Sequence, residues 1–162
     1  MLKEIKVTNV TTCHLPIAII ASKYNGTFVQ GLLDGVEDTL KLVGVAEEDV
    51  VTIRVPGAFE IPVMAAKVAR CNTRTFAAII CLGVVIQGET EHARLITEAV
   101  TIELVKLQTS HGMPIVHEVL LVQNEEQARA RCLDEKHNRG REAAQTALEM
   151  ASLVHEFDKR FI

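Results

Sequence analysis

The chain has 162 residues, the size of one domain whose core stands without metal or disulfide staples. Apolar residues make up 48% and aromatic residues 4%, with no tryptophan, so Val, Ile, Leu and Ala must fill the core, as in a parallel sheet covered by helices. A formal charge of −4 leaves no basic footprint for nucleic acid, and no apolar run is long enough to span a bilayer.

Residues 1–10 are polar and charged, with no apolar stretch of signal-peptide length. Residues 1–12 are expected as an extended arm on a single domain of 1–162. The first buried strand is expected at 15–21 (LPIAIIA), followed by an amphipathic helix at 28–43 that Gly44 stops. A second strand at 50–55 (VVTIRV) leads to a helix at 61–69, with Pro62 in its first turn. The third strand, 77–85 (AAIICLGVV), precedes a helix at 90–109. The fourth, 114–122 (PIVHEVLLV), precedes a short helix at 124–131 and a long one at 139–157, with Asn138-Arg139-Gly140 as the break between them. The strands mostly lack polar alternation, which predicts cover on both faces. The order predicts a three-layer α/β sandwich: a four-stranded, mainly parallel sheet flanked by helices, in a flavodoxin-like topology. Cys13, Cys71, Cys81 and Cys132 have neither zinc-site nor disulfide spacing, and Cys81 sits in an apolar run. A soluble, reduced, cytoplasmic protein is expected, or a stromal one if a transit peptide has been removed.

Ligands of such sheets bind at the carboxyl ends of the strands, which directs attention to the loops there. Tyr24, the one tyrosine, follows the first strand beside Asn25. It reads either as a surface aromatic in a turn or as a stacking face for a flat heterocycle. After the second strand, Pro56-Gly57-Ala58-Phe59-Glu60-Ile61-Pro62 is stiffer and more shaped than a plain turn needs. Glu60 either favours the positive helix start or accepts hydrogen bonds from a ligand. After the third strand, Gly88, Glu89 and Thr90 lead into a helix whose first turn is expected to hold Thr90 and His92. Free backbone N–H groups at such a start bind anions, and an imidazole beside them can move protons. Glu89 and Glu91 must then point their side chains away. Arg131, at the end of the short helix, is either solvated or the fixed positive charge a phosphate requires.

Together these segments resemble the lumazine synthase family. Residues 55–62 (VPGAFEIP) match its motif letter for letter, and 83–92 (GVVIQGETEH) is similar to its G-x-V-I-x-G-x-T-x-H segment. Residues 124–131 (NEEQARAR) resemble its N-x-E-Q-A-x-x-R, followed by Asn138-Arg139-Gly140 where the family has N-[KR]-G. The likeness runs from about residue 17 to 153. It implies condensation of 5-amino-6-(D-ribitylamino)uracil with 3,4-dihydroxy-2-butanone 4-phosphate to 6,7-dimethyl-8-ribityllumazine, the penultimate step of riboflavin biosynthesis, with no cofactor and no metal. By motif position it implies proton transfer at His92 and phosphate binding by Gly88, Glu89, Thr90 and Arg131. It further implies contacts to the ring and ribityl chain from Tyr24, Asn25, Ala58, Phe59, Glu60 and the backbone of Val84, Val85 and Ile86.

Three positions depart from the pattern. His117 stands where the family often has a phenylalanine reaching into a neighbouring subunit's site, and it reads either as a buried structural histidine or as a substrate-binding group that stacks on the ring or takes part in proton transfer. Gln87 replaces a frequent basic residue, and Asp134-Glu135-Lys136-His137 replaces a small, basic linker. The resemblance also implies homo-oligomers, with active sites shared between neighbours in rings of five, in some members assembled into hollow shells. Riboflavin synthase is an implied partner. The expected helix at 90–109 carries apolar residues on more than one side, which fits burial against both sheet and neighbour. The rival reading is a binding protein for flavins or lumazines that has lost catalysis.

Overall fold

Four runs rich in Val and Ile pair as the strands β1 (Ile17–Ser22), β2 (Val50–Val55), β3 (Ala78–Ile86) and β4 (Ile115–Val122) of a computed structural model, which describes residues 16–162. The expected N-terminal arm, Cys13 and the predicted strand residue Leu15 lie outside the described residues. All strand pairs are parallel and the order is β2-β1-β3-β4, so β2 and β4 are the edges. Five helices flank the sheet: α1 (Gly26–Leu42), α2 (Ile61–Ala69), α3 (His92–His111), α4 (Glu125–Cys132) and α5 (Arg139–Phe161). None of these is long and apolar enough to cross a membrane.

Period-two alternation along β1 sorts side chains onto two cores. Ile17, Ile19 and Ala21 pack with α1, α4 and α5, while Ala18 and Ile20 pack with α2 and α3. The three-layer sandwich follows, with both faces of the central strands dry. Full cover fails at the edges. Thr52 of β2 is exposed and most of that strand is only half-buried, because among the described residues β2 has a neighbour on one side alone. His117 and Leu121 of β4 are exposed on the α3 face.

The predicted boundaries hold to within a few residues, with one consequential difference. α3 begins at His92 and not at Thr90, and the Leu95 N–H donates to the Glu91 carbonyl at its start. The Thr90 carbonyl is taken instead by the side chain of Gln87, 3.0 Å away, so it is withdrawn from the helical ladder. Asn138, read as a break, is a joint. Its Oδ1 accepts the Gly140 N–H and caps α5, while its Nδ2 donates to the carbonyls of Gly31 in α1 and Cys132 in α4. The three helices approach so closely here that a Cβ on Gly31 or Gly140 would collide with backbone.

Candidate active site

The loops that leave β1, β2 and β3 surround a cleft of about 660 Å³ at the carboxyl end of the sheet. Its first wall is the turn after β1. Lys23 and Tyr24 donate their backbone N–H groups to the carbonyls of Val55 and Pro56, at 2.8 and 3.1 Å, which ties this turn to the exit of β2. Asn25 adopts the left-handed backbone conformation (φ 53°), one that asparagine tolerates well. Its Nδ2 donates to the Val84 carbonyl at 2.7 Å, linking the turn to β3 as well. Held at both ends, the turn presents Tyr24 to the cleft with the residue 74% exposed, a flat apolar face with no partner layered over it among the described residues.

The second wall is the stiff segment after β2. Ala58–Glu60 forms one turn of 3-10 helix that runs directly into α2. Glu60 closes this turn by accepting the Gly57 N–H on Oε2 at 2.9 Å. One carboxylate oxygen is therefore occupied in shaping the loop, and Oε1 meets no donor among the described residues. Ala58 is buried and Phe59 is largely exposed at the rim.

The third wall is the end of β3 and the start of α3. Val84, Val85 and Ile86 line the cleft, then Gly88 and Thr90 in the loop, then His92 as the first residue of α3. The His92 N–H lies 3.4 Å from Thr90 Oγ1. A Cβ at Gly88 would meet nothing within 4 Å, so the space beside this loop is open to a ligand. Glu89 is exposed between two lining residues without lining the cleft itself. The carboxylate of Glu91 is paired with Arg94 at 2.5 Å, which answers how an acidic residue sits beside an anion loop.

Tyr24, Asn25, Ala58, Phe59, Glu60, Val84, Val85, Ile86, Gly88, Thr90 and His92 thus meet in one place. Gly57, Ala93 and Ile96 line it too and were missed from sequence. Ile96 is one helical turn beyond His92, so the i,i+4 rule could have found it.

Two expected residues lie elsewhere. Arg131 is half-buried on α4, on the opposite face of the sheet from α3, with Nη1 3.5 Å from the Gln127 carbonyl. The cleft lining contains no lysine or arginine among the described residues. His117 projects from β4 toward α3, where Nε2 meets Thr101 Oγ1 at 2.8 Å. The Thr101 hydroxyl also lies 2.7 Å from the Thr97 carbonyl, its acceptor within α3. Partial burial of the ring between β4 and α3 lowers the His117 pKa, which favours the neutral form. The acidic linker turns on itself: Asp134 Oδ1 accepts the N–H groups of Lys136 and His137 and pairs with the His137 ring. The His137 hydrogen bond, first among these, lowers the Asp134 pKa.

The sequence model of the family described as 6,7-dimethyl-8-ribityllumazine synthase matches residues 14–155. The chain is 39% identical over 145 residues to the 6,7-dimethyl-8-ribityllumazine synthase of Burkholderia multivorans, covering 90% of this chain and 81% of that protein. It is 38% identical over 141 residues to the protein of the same name from Halorhodospira halophila, covering 87% of this chain and 89% of that one.

Proposed function

Because the chain belongs to the 6,7-dimethyl-8-ribityllumazine synthase family, we propose that its cleft joins 5-amino-6-(D-ribitylamino)uracil to 3,4-dihydroxy-2-butanone 4-phosphate, the penultimate step of riboflavin biosynthesis. It is a transferase of that pathway. The single observation that carries the reading is the meeting of an exposed aromatic face, a shaped carboxylate loop, an open glycine loop and an imidazole around one cavity. The substrates offer the complementary parts: a flat ring, a polyol and a phosphate.

In this reading the pyrimidine stacks on Tyr24, and Asn25, Ala58, Phe59, Glu60 and the backbone of Val84 to Ile86 hold its edge and the ribityl chain. The backbone N–H groups around Gly88 and Glu89, with the Thr90 hydroxyl, bind the phosphate. The ring amine attacks the ketone and water is lost, phosphate is eliminated, and the second amine closes the new ring with loss of another water. Each step moves a proton, and the His92 imidazole, which carries both a donor and an acceptor nitrogen, takes and returns them. Much of the acceleration comes from holding both reactants in register, a contribution worth roughly 7–11 kcal/mol at best.

The same reading extends to assembly. A phosphate needs a fixed positive charge, and one chain's cleft lining supplies no lysine or arginine among the described residues. In a closed ring of five copies, Arg131 and His117 serve the cleft of a neighbour. Support comes from α3, which leaves Leu95, Ile102 and Val105 at 57%, 50% and 51% exposure, apolar surface of the kind an interface covers. Rings stacked into larger shells, and riboflavin synthase as a partner, belong to the same proposal; light scattering on the purified protein reads the ring or shell size directly. The reaction itself is tested by mixing protein with both substrates and following the absorbance and fluorescence of the lumazine. Product formation supports the reading, and tight binding of the pyrimidine with no product replaces it with a binding protein on the same fold.

A further inference from the structure

The loop ahead of α3 is clamped by a side chain that the reading above leaves unused. Gln87 leaves β3 with its backbone N–H bonded to the Val122 carbonyl at 2.8 Å, which anchors it to the end of β4. Its side-chain Nε2 donates to the carbonyls of Gly88 and Thr90, each at 3.0 Å. A primary amide has two N–H donors, so both bonds form at once. Both partners are carbonyls, so only the NH₂ end of the side chain fits there.

The consequence follows from the planar trans peptide, in which C=O and N–H point in opposite directions. Drawing the Gly88 carbonyl toward Gln87 turns the N–H of Glu89 away from it. Drawing the Thr90 carbonyl the same way turns out the N–H of Glu91. Neither N–H meets an acceptor among the described residues. Two donors are thereby left free, among the described residues, in a loop whose Gly88 and Thr90 line the cleft.

We propose that Gln87 is a positioning residue for the phosphate-bearing substrate: its amide holds the 88–90 loop so that the N–H groups of Glu89 and Glu91 address one anion together. The proposal rests on the reading that this loop takes a phosphate, and it adds how an uncharged residue shapes that site without touching the ligand.

The test uses Gln87→Met, which keeps the side chain's length but removes its donors, and Gln87→Asn, which keeps the amide but is too short to span both carbonyls. The readouts are competitive inhibition by inorganic phosphate, the KM of each substrate, and thermal melting. In Gln87→Met the inhibition constant of phosphate and the KM of the phosphate-bearing substrate each rise about tenfold, roughly the value of one hydrogen bond. The KM of the pyrimidine stays within about twofold and melting is unchanged; Gln87→Asn shifts the same two constants in the same direction. Phosphate inhibition unchanged in both variants, or both KM values rising in parallel, overturns the proposal while leaving the parent reading intact. A wild-type protein that forms no lumazine defeats the parent reading, and this one with it.

Discussion

Asn138 offers a quantitative test of how the helical layer opposite the cleft is held. The residue is 7% exposed and its side chain makes three bonds of 2.8 Å: Nδ2 to Gly31 O, Nδ2 to Cys132 O, and Oδ1 from Gly140 N. In Asn138→Ala the lost cap costs about 1 kcal/mol. The Cys132 carbonyl sits at the end of α4, among the carbonyls with no helical partner, and leaving it buried and unpaired costs about 1–3 kcal/mol. Gly31 lies inside α1, where its carbonyl is already served by the helical ladder, so its loss adds little. The sum is about 3 kcal/mol. Asn138→Asp separates the two roles: it keeps the acceptor that caps α5 but sets carboxylate oxygen against two carbonyl oxygens. At neutral pH it is destabilised at least as much as Asn138→Ala. It recovers as the pH falls, because protonation supplies a donor again and the native state takes up that proton more readily than the unfolded chain. Urea unfolding followed by circular dichroism, at one fixed protein concentration, measures both variants. A loss below about 1 kcal/mol in Asn138→Ala, or an Asn138→Asp protein as stable as wild type at neutral pH, refutes the reasoning.

His92→Ala lowers kcat about a hundredfold, the low end for general acid–base catalysis, because positioning of the two substrates survives; steady-state kinetics with unchanged turnover would remove His92 from its role. Tyr24→Ala raises the KM of the pyrimidine about tenfold while Tyr24→Phe keeps it, and equal effects in the two variants would exclude stacking. Burial pushes Glu118 up to about 6, with the Arg139 guanidinium beside it pulling the other way. The native carboxyl holds its proton more tightly than the unfolded one, so its contribution is favourable at low pH and is lost as pH rises through about 6. Measured by urea unfolding, wild-type stability relative to Glu118→Gln therefore gains about 2 kcal/mol between about pH 7.5 and about pH 4.5, and a flat or opposite difference excludes the assignment.

Much of this was legible in the chain because it is local. Runs such as IAIIAS and AIICLGVVI carry their strand character in composition, and residues 55–62 carry the loop in their prolines and glycine. What escaped is set by contacts distant in sequence. Thr52 is exposed because β2 ends the sheet, a fact of strand order and not of the strand's own residues. Asn138 looked like a helix break because its partner Gly31 lies 107 positions away. The start of α3 was misplaced by the Gln87 side chain, whose competition with the backbone for the Thr90 carbonyl leaves no periodic signal. Arg131 was grouped with the phosphate loop by motif, whereas the fold sets it on the opposite face of the sheet; His117, whose motif position points to a neighbour's site, stands on an edge strand outside this chain's cleft lining. Within the site, Glu60 looked free for a ligand, yet one of its oxygens shapes the loop through Gly57.

The most direct test of a two-substrate cleft follows inorganic phosphate release and lumazine absorbance in the same sample. The expected result is one phosphate for each lumazine, with neither appearing beyond the uncatalysed rate unless both substrates are present. Phosphate released without the pyrimidine, or no lumazine above the uncatalysed rate, would contradict it.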